Sequence, residues 1–134
     1  MTGESDLKRL LSGMRPELHD GRYVFCTVPG PAAPAGTTPV ATVLEAEGLT
    51  LVLRQEDADA AGLAYAYVAG WITLRIHSAL DAVGLTGAFA AELAAHGLSC
   101  NVVAGYHHDH LFVAFERAAE AVAVLEALAA HSAE

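Results

Sequence analysis

The chain has 134 residues, 54 % of them apolar, and a formal net charge of −9, with 7 Lys and Arg against 16 Asp and Glu. That length suits one compact unit with a real core, and so apolar a composition excludes wholesale disorder. The scarcity of cations argues against nucleic acid, whose phosphates need a basic patch, and against anionic membranes.

No apolar run approaches the ~20 residues of a membrane span. Met1 to Arg9 is polar and acidic, unlike the basic start and apolar block of a signal peptide. A cytoplasmic protein is therefore expected. Cys26 and Cys100 stand alone, without CxxC spacing, and read as free core thiols.

In chain order, Ser5 can cap a short helix with Leu7, Leu10, Leu11 and Met14 at helical spacing, which Pro16 ends. Tyr23 to Val28 reads as a buried strand. Pro29 to Gly36 is too rich in Pro and Gly for regular structure and reads as a surface loop. Ala41 to Ala46 and Leu49 to Arg54 form a hairpin candidate around Glu47 and Gly48. Gln55 to Ala61 is a short acidic helix closed by Gly62. Leu63 to Gly70 fits no single pattern.

Trp71 to His77 alternates, with Trp71, Thr73 and Arg75 on one face and Ile72, Leu74 and Ile76 on the other. After a loop to Leu85, Thr86 can cap a helix that carries Phe89 and Leu93 and stops at Gly97. Ser99 to Gly105 and Leu111 to Phe115 are strands. Arg117 to His131 is a helix with Val122, Leu125, Leu128 and Ala129 as its apolar stripe.

From Trp71 the order is β-α-β-β-α, a ferredoxin-like unit without its fourth strand. No strand follows the last helix, so an N-terminal strand, Tyr23 to Val28 by preference, is expected to fill the vacant position and protect the edge. Strands near 23–28, 41–46 and 49–54 suggest a second, more irregular unit. The expected fold is thus α+β, with one unit over residues 1–66 and another over 67–134.

The segment Asp81 to Thr86 leads from a strand directly into a helix. The first turn of a helix offers free N–H groups and a positive dipole end, a ready seat for a carboxylate. Gly84 lets a ligand approach the backbone, and Asp81 can meet an amino group. A site holding both groups recognises a free amino acid. The plainer reading is a tight turn before a helix.

The residues from Trp71 onward resemble the ACT domain, a βαββαβ module that binds amino acids. Val83-Gly84-Leu85-Thr86 precedes the helix, and Gly97-Leu98-Ser99-Cys100-Asn101-Val102-Val103 follows it. The whole chain resembles a small bacterial family, through Tyr23-Val24-Phe25-Cys26-Thr27, Trp71-Ile72-Thr73-Leu74, His77-Ser78, and the run from Ser99 to His110. Its ACT part is similar to the eukaryotic arginine sensors called CASTOR. The resemblance implies tandem ACT-like units and a non-catalytic regulatory protein without a cofactor. It also implies a homodimer whose partner is a free amino acid, with arginine suggested by analogy.

Carried onto this chain, the family's ligand site would comprise Ser78, Asp81, Val83, Gly84, Leu85 and Thr86. These would face Asn101, Val102 and Val103 of a neighbouring unit. No catalytic domain accompanies the ACT part in the 134 residues. Output is therefore expected to pass through oligomer state or another protein.

His107, His108 and His110, with Asp109 and possible help from His77, carry ligand types for zinc or another transition metal. Successive strand residues point to opposite sides, however, so His108 and His110 at best share a face. A turn with hydrogen-bonded histidines, or a pH-sensitive patch, accounts for them equally. A docking module without any ligand is the other alternative. For catalysis, His77, Ser78 and Asp81 are too close in sequence for triad geometry, and no P-loop, Rossmann or zinc-hydrolase pattern is present.

Overall fold

The structure is a computed structural model that describes residues 3–76 and 83–134. Its elements run α1 (Gly3–Ser12), β1 (Arg15–Leu18), β2 (Tyr23–Val28), β3 (Ala41–Glu45), β4 (Gly48–Arg54), α2 (Gln55–Ala60), β5 (Val68–Arg75), α3 (Leu85–Ala95), β6 (Asn101–Ala104), β7 (Asp109–Ala114) and α4 (Ala118–Ser132), with a 3-10 turn at Phe115–Arg117. The seven strands form one antiparallel sheet in the order β3-β4-β2-β5-β7-β6, with β1 beside β5.

β5 is the strand on which this order turns. Along one edge, Ala69 to Leu74 pairs with Asp109 to Ala114 of β7. Along the other, β2 meets its start (Tyr23↔Ala69, Val24↔Val68) and β1 meets its remainder (Leu18↔Ile72 through Arg15↔Arg75). β1-β5-β7-β6 with α3 and α4 is one ferredoxin-like unit. β3-β4-β2 with α2 and the start of β5 is the other, with the Pro-rich loop where its first helix would lie.

The fourth strand of the C-terminal unit does come from the N-terminal part, but it is chiefly β1. Tyr23 to Val28, the expected occupant, touches β5 through only two residue pairs and is otherwise paired with β4. Pro16 masked the strand. It lacks an N–H, which an edge strand tolerates on its unpaired side, and here it sits opposite Leu74. Two caps also differ from expectation. α1 begins at Gly3, ahead of Ser5, and α3 begins after Gly84, ahead of Thr86.

The pleat sends alternate residues to two unlike faces. Ile72, Leu74, Leu111 and Val113 pack under α1, α3 and α4 against Leu11, Phe89, Leu93 and Leu125. Val24, Cys26, Leu51 and Leu53 pack under α2 and its Ala58. Tyr23, Val52, Ala69 and Phe112 belong to the opposite face, joined by Phe25, Tyr67, Trp71 and Val103, and among the described residues no helix covers them.

That open face is concave. Val40 and Ala41, at the β3 edge, line the same 240 Å³ cavity as Val103 and Gly105, at the β6 edge. In a flat sheet those edges would stand five strand spacings apart, roughly 24 Å, whereas a compact cavity of that volume is only about 8 Å across. The sheet therefore curls its outer strands toward each other.

Gly70 sets the helical layer on the sheet. A Cβ there would lie 2.7 Å from Cβ of Ala118, the first residue of α4, and 3.7 Å from Leu18 Cδ1. Gly70→Val therefore forces the head of α4 off the sheet, at a cost of at least ~1–3 kcal/mol. Urea unfolding of that variant is expected to show a lower midpoint with an unchanged slope; an unchanged midpoint would mean the contact carries no strain.

Candidate functional site

Ser78 and Asp81, like His77, lie outside the described residues. Of the remaining loop positions, Val83 is 88 % exposed and Thr86 is exposed, while Leu85 is buried and packs into the core. Gly84 precedes α3 with φ of +90°, a conformation that favours glycine. Its carbonyl accepts the Ala88 N–H at 2.9 Å, which starts the helix before Thr86. Among the described residues no side chain caps this end. A Cβ on Gly84 would stand 3.3 Å from Leu7 Cδ2, so the glycine also admits α1.

Asn101 opens β6 opposite Phe112, and its Nδ2 donates to the Phe112 carbonyl at 3.3 Å. Val102 packs with the helical core, whereas Val103 belongs to the open face. The two halves of the expected site are not adjacent within the chain. The turn follows the end of β5, which lies beside Asp109 and, across β7, Ala104. Asn101 lies at the other end of β6, near the close of α3, a helix about 16 Å long.

The open face holds a polar arrangement that the sequence reading did not assemble. Trp71 Nε1–H donates to His110 Nδ1 at 3.1 Å, so that nitrogen carries no proton and neutral His110 holds its hydrogen on Nε2. Thr73, only 4 % exposed, has its hydroxyl 3.1 Å from the same Nδ1 and 2.7 Å from His19 Nε2. The Thr73 hydroxyl thus donates to His110 and accepts from His19 Nε2–H. The His19 ring also stacks on Trp71, with centroids 3.5 Å apart and planes 11° from parallel.

Trp71 and Thr73 share one face by strand alternation, which the sequence showed. His19 reaches them only because β1 lies along β5, and β1 was hidden behind Pro16. Beside it, Arg75 donates twice to Glu17, at 3.1 Å to each carboxylate oxygen, which lowers the Glu17 pKa. Burial depresses the pKa of His19, against the pull of Glu17, and that of His110, where His108 and His19 push the same way and Asp109 opposes.

The histidines 107–110 are divided by this geometry. His107 is exposed and meets the Tyr106 ring edge-on. His108 shields an Nδ1 without a partner among the described residues. His110 Nδ1 is already held by Trp71 and Thr73. Among the described residues no group of three or more His, Cys, Asp or Glu side chains is placed to hold a metal ion. Burial raises both thiol pKa values, Cys100 to about 11, which keeps them protonated and unreactive.

Two models of the ACT domain match the sequence, one over residues 2–70 and one over 67–127. No functionally curated protein matches. A Vibrio cholerae protein of unknown function, described as a possible transport protein, is 50 % identical. The match covers 96 % of this chain and 99 % of that one, with a TM-score of 0.85. An Agrobacterium tumefaciens protein at 19 % identity (TM-score 0.65; 87 % and 89 % covered) shares the fold. So does a chain of aspartokinase alpha and beta subunits at 10 % identity (TM-score 0.55; 85 % and 96 % covered).

The two depressed histidines set a direction of pH dependence. Below their ordinary value of 6.5 the unfolded chain takes up protons that folded His19 and His110 refuse. Stability is full above that value and declines as pH falls toward the lowered folded values. Urea titrations between about pH 5 and 8 are expected to show this decline. Its slope should shrink in the double variant His19→Gln, His110→Gln; an undiminished slope would place the effect elsewhere.

Proposed function

This chain belongs to the ACT-domain family, and from that premise we propose that it is a non-catalytic regulatory protein that binds a free amino acid as a cytoplasmic homodimer. The observation that carries the reading is that ACT models match both halves of the chain. No helix among the described residues is long and apolar enough to cross a membrane, which accords with it.

In this reading the α-carboxylate sits on the first turn of α3. The N–H groups of Leu85, Thr86 and Gly87 precede the first intrahelical bond, which is Ala88 to Gly84, and Thr86 and Gly87 are exposed. They present the positive end of the helix dipole. Ser78, Asp81, Val83, Gly84 and Leu85 complete that side, with Asp81 for the amino group. The separation of this turn from Asn101 along α3 is why Asn101, Val102 and Val103 are assigned to a second copy. The edge strands β3 and β6 offer the means to dimerise.

A second reading, a docking module without a ligand, draws on β3. This edge strand leaves Val43 50 % and Leu44 68 % exposed. If β3 carries the association, Leu44→Lys is expected to shift the sedimentation of the protein toward monomer; no shift would remove β3 from the interface.

Thermal melts against the twenty amino acids test the leading reading. An amino acid at a hundred times its Kd stabilises by about 2.7 kcal/mol and raises Tm on the order of 10 °C. Thr86→Glu is the matching variant. Its charge suits the dipole and spares the fold, yet it repels a carboxylate from the same N–H groups. The expected result is an unchanged or slightly higher Tm without ligand and a lost ligand response. If none of the twenty moves Tm at millimolar concentration, the amino-acid reading fails.

A further inference from the structure

The open face carries two cavities that the turn at Gly84 does not use. The first, of about 240 Å³, is floored by Trp71 and Phe112 and walled by Val40, Ala41, Val103, Gly105 and His110. The second, of about 270 Å³, is lined by Phe25, Tyr67 and Asn101. Phe112 stands between them, 6.3 Å from Trp71 with rings 17° from parallel, and 5.5 Å edge-on from Phe25.

We propose that this concave aromatic face is a binding site for a small, flat, uncharged aromatic or heteroaromatic molecule. The molecule would lie on Trp71 and Phe112 with a hydrogen-bond acceptor on His110 Nε2–H.

Three observations carry the assignment. The first is charge. No Lys, Arg, Asp or Glu among the described residues lines either cavity, and an ion placed there would lose its hydration without gaining an opposite charge. A zwitterionic amino acid is therefore the wrong occupant, which separates this site from the one at α3.

The second is the direction of the polar donor beside the Trp71 and Phe112 floor. Trp71 and Thr73 fix the His110 ring through Nδ1, so the proton is on Nε2. No hydrogen bond within the described residues engages Nε2. Gly105 leaves room beside it, since a Cβ there would come within 3.1 Å of Nε2 and 2.8 Å of the His108 carbonyl. A fixed donor beside an aromatic floor favours a planar acceptor such as an amide or ring carbonyl.

The third is an unmet polar group. The Tyr67 hydroxyl is shielded from solvent and has no partner among the described residues. A bare buried hydroxyl is unfavourable, and a guest that shifts the Tyr67 ring, which lines the second cavity, would relieve it. The volumes fit a molecule smaller than an ordinary drug-sized ligand.

Trp71 is the single tryptophan of the chain, so its fluorescence and its indole N–H resonance report on this site alone. The probe is benzamide, flat, neutral and carrying a carbonyl acceptor, with benzoate and benzylamine as charged counterparts of the same ring. The expected result is saturable quenching of Trp71 by benzamide in the millimolar range, with a shift of the indole N–H signal. Both charged probes should bind at least about tenfold more weakly.

Ala41→Phe fills the cavity from β3, beside a partly exposed position, and is expected to abolish benzamide quenching while amino-acid thermal shifts persist. Absence of saturable quenching in the unaltered protein overturns the proposal. So does equal binding of benzamide and benzoate, which needs no variant to fold. Because the amino-acid assay reads the first turn of α3 and the quenching assay reads Trp71 on the helix-free face of the sheet, the two proposals can fail independently.

Discussion

The pairing of β5 along both of its edges is the constraint on which the rest of the structure depends. A strand eight residues long is asked to serve two ferredoxin-like units. Its start closes the sheet of the N-terminal unit and its remainder opens that of the C-terminal unit. The shared strand converts two small units into one continuous sheet. It also explains why the two family matches overlap at residues 67–70, where β5 begins.

Small residues at the crossover follow from this. Ala69 and Gly70 lie where β2 gives way to β1 beside β5 and where the head of α4 lands on the sheet. A larger side chain at Gly70 would hold the helix away from the strands it must cover. Three helices then seal one face over the C-terminal half, and α2 seals the same face over the N-terminal half. Among the described residues no helix covers the opposite face, whose aromatic residues shield one another on the curled sheet.

The two candidate binding regions differ in chemistry because they differ in what supplies the polarity. At α3 the polarity is backbone, an array of N–H groups at a helix end that favours an anion. On the open face it is a closed chain of side chains, Trp71 to His110 to Thr73 to His19, in which all but one imidazole hydrogen is engaged. Burial favours the neutral form of both imidazoles, and an uncharged pair stacked among aromatics favours an uncharged guest.

Local pattern alone determined the strands at Tyr23 to Val28 and after Gly70, the helices that carry Phe89 and Leu125, the loop at Pro29 to Gly36 and the two-unit plan, because each writes its period or its turn residues into a short window. Thr86 looked like a cap by residue type, but the cap belongs to Gly84, which has a positive φ and leaves room for Leu7 of α1. β1 could not be read, since four residues containing a proline carry no period. Its strand character exists only through β5. With β1 came His19, which lies 54 residues from Thr73 in sequence and 2.7 Å from it in space. The identity of the helices and strands was local, and so legible. The partner of each strand edge, and hence the chemistry of the open face, was decided by packing between distant segments.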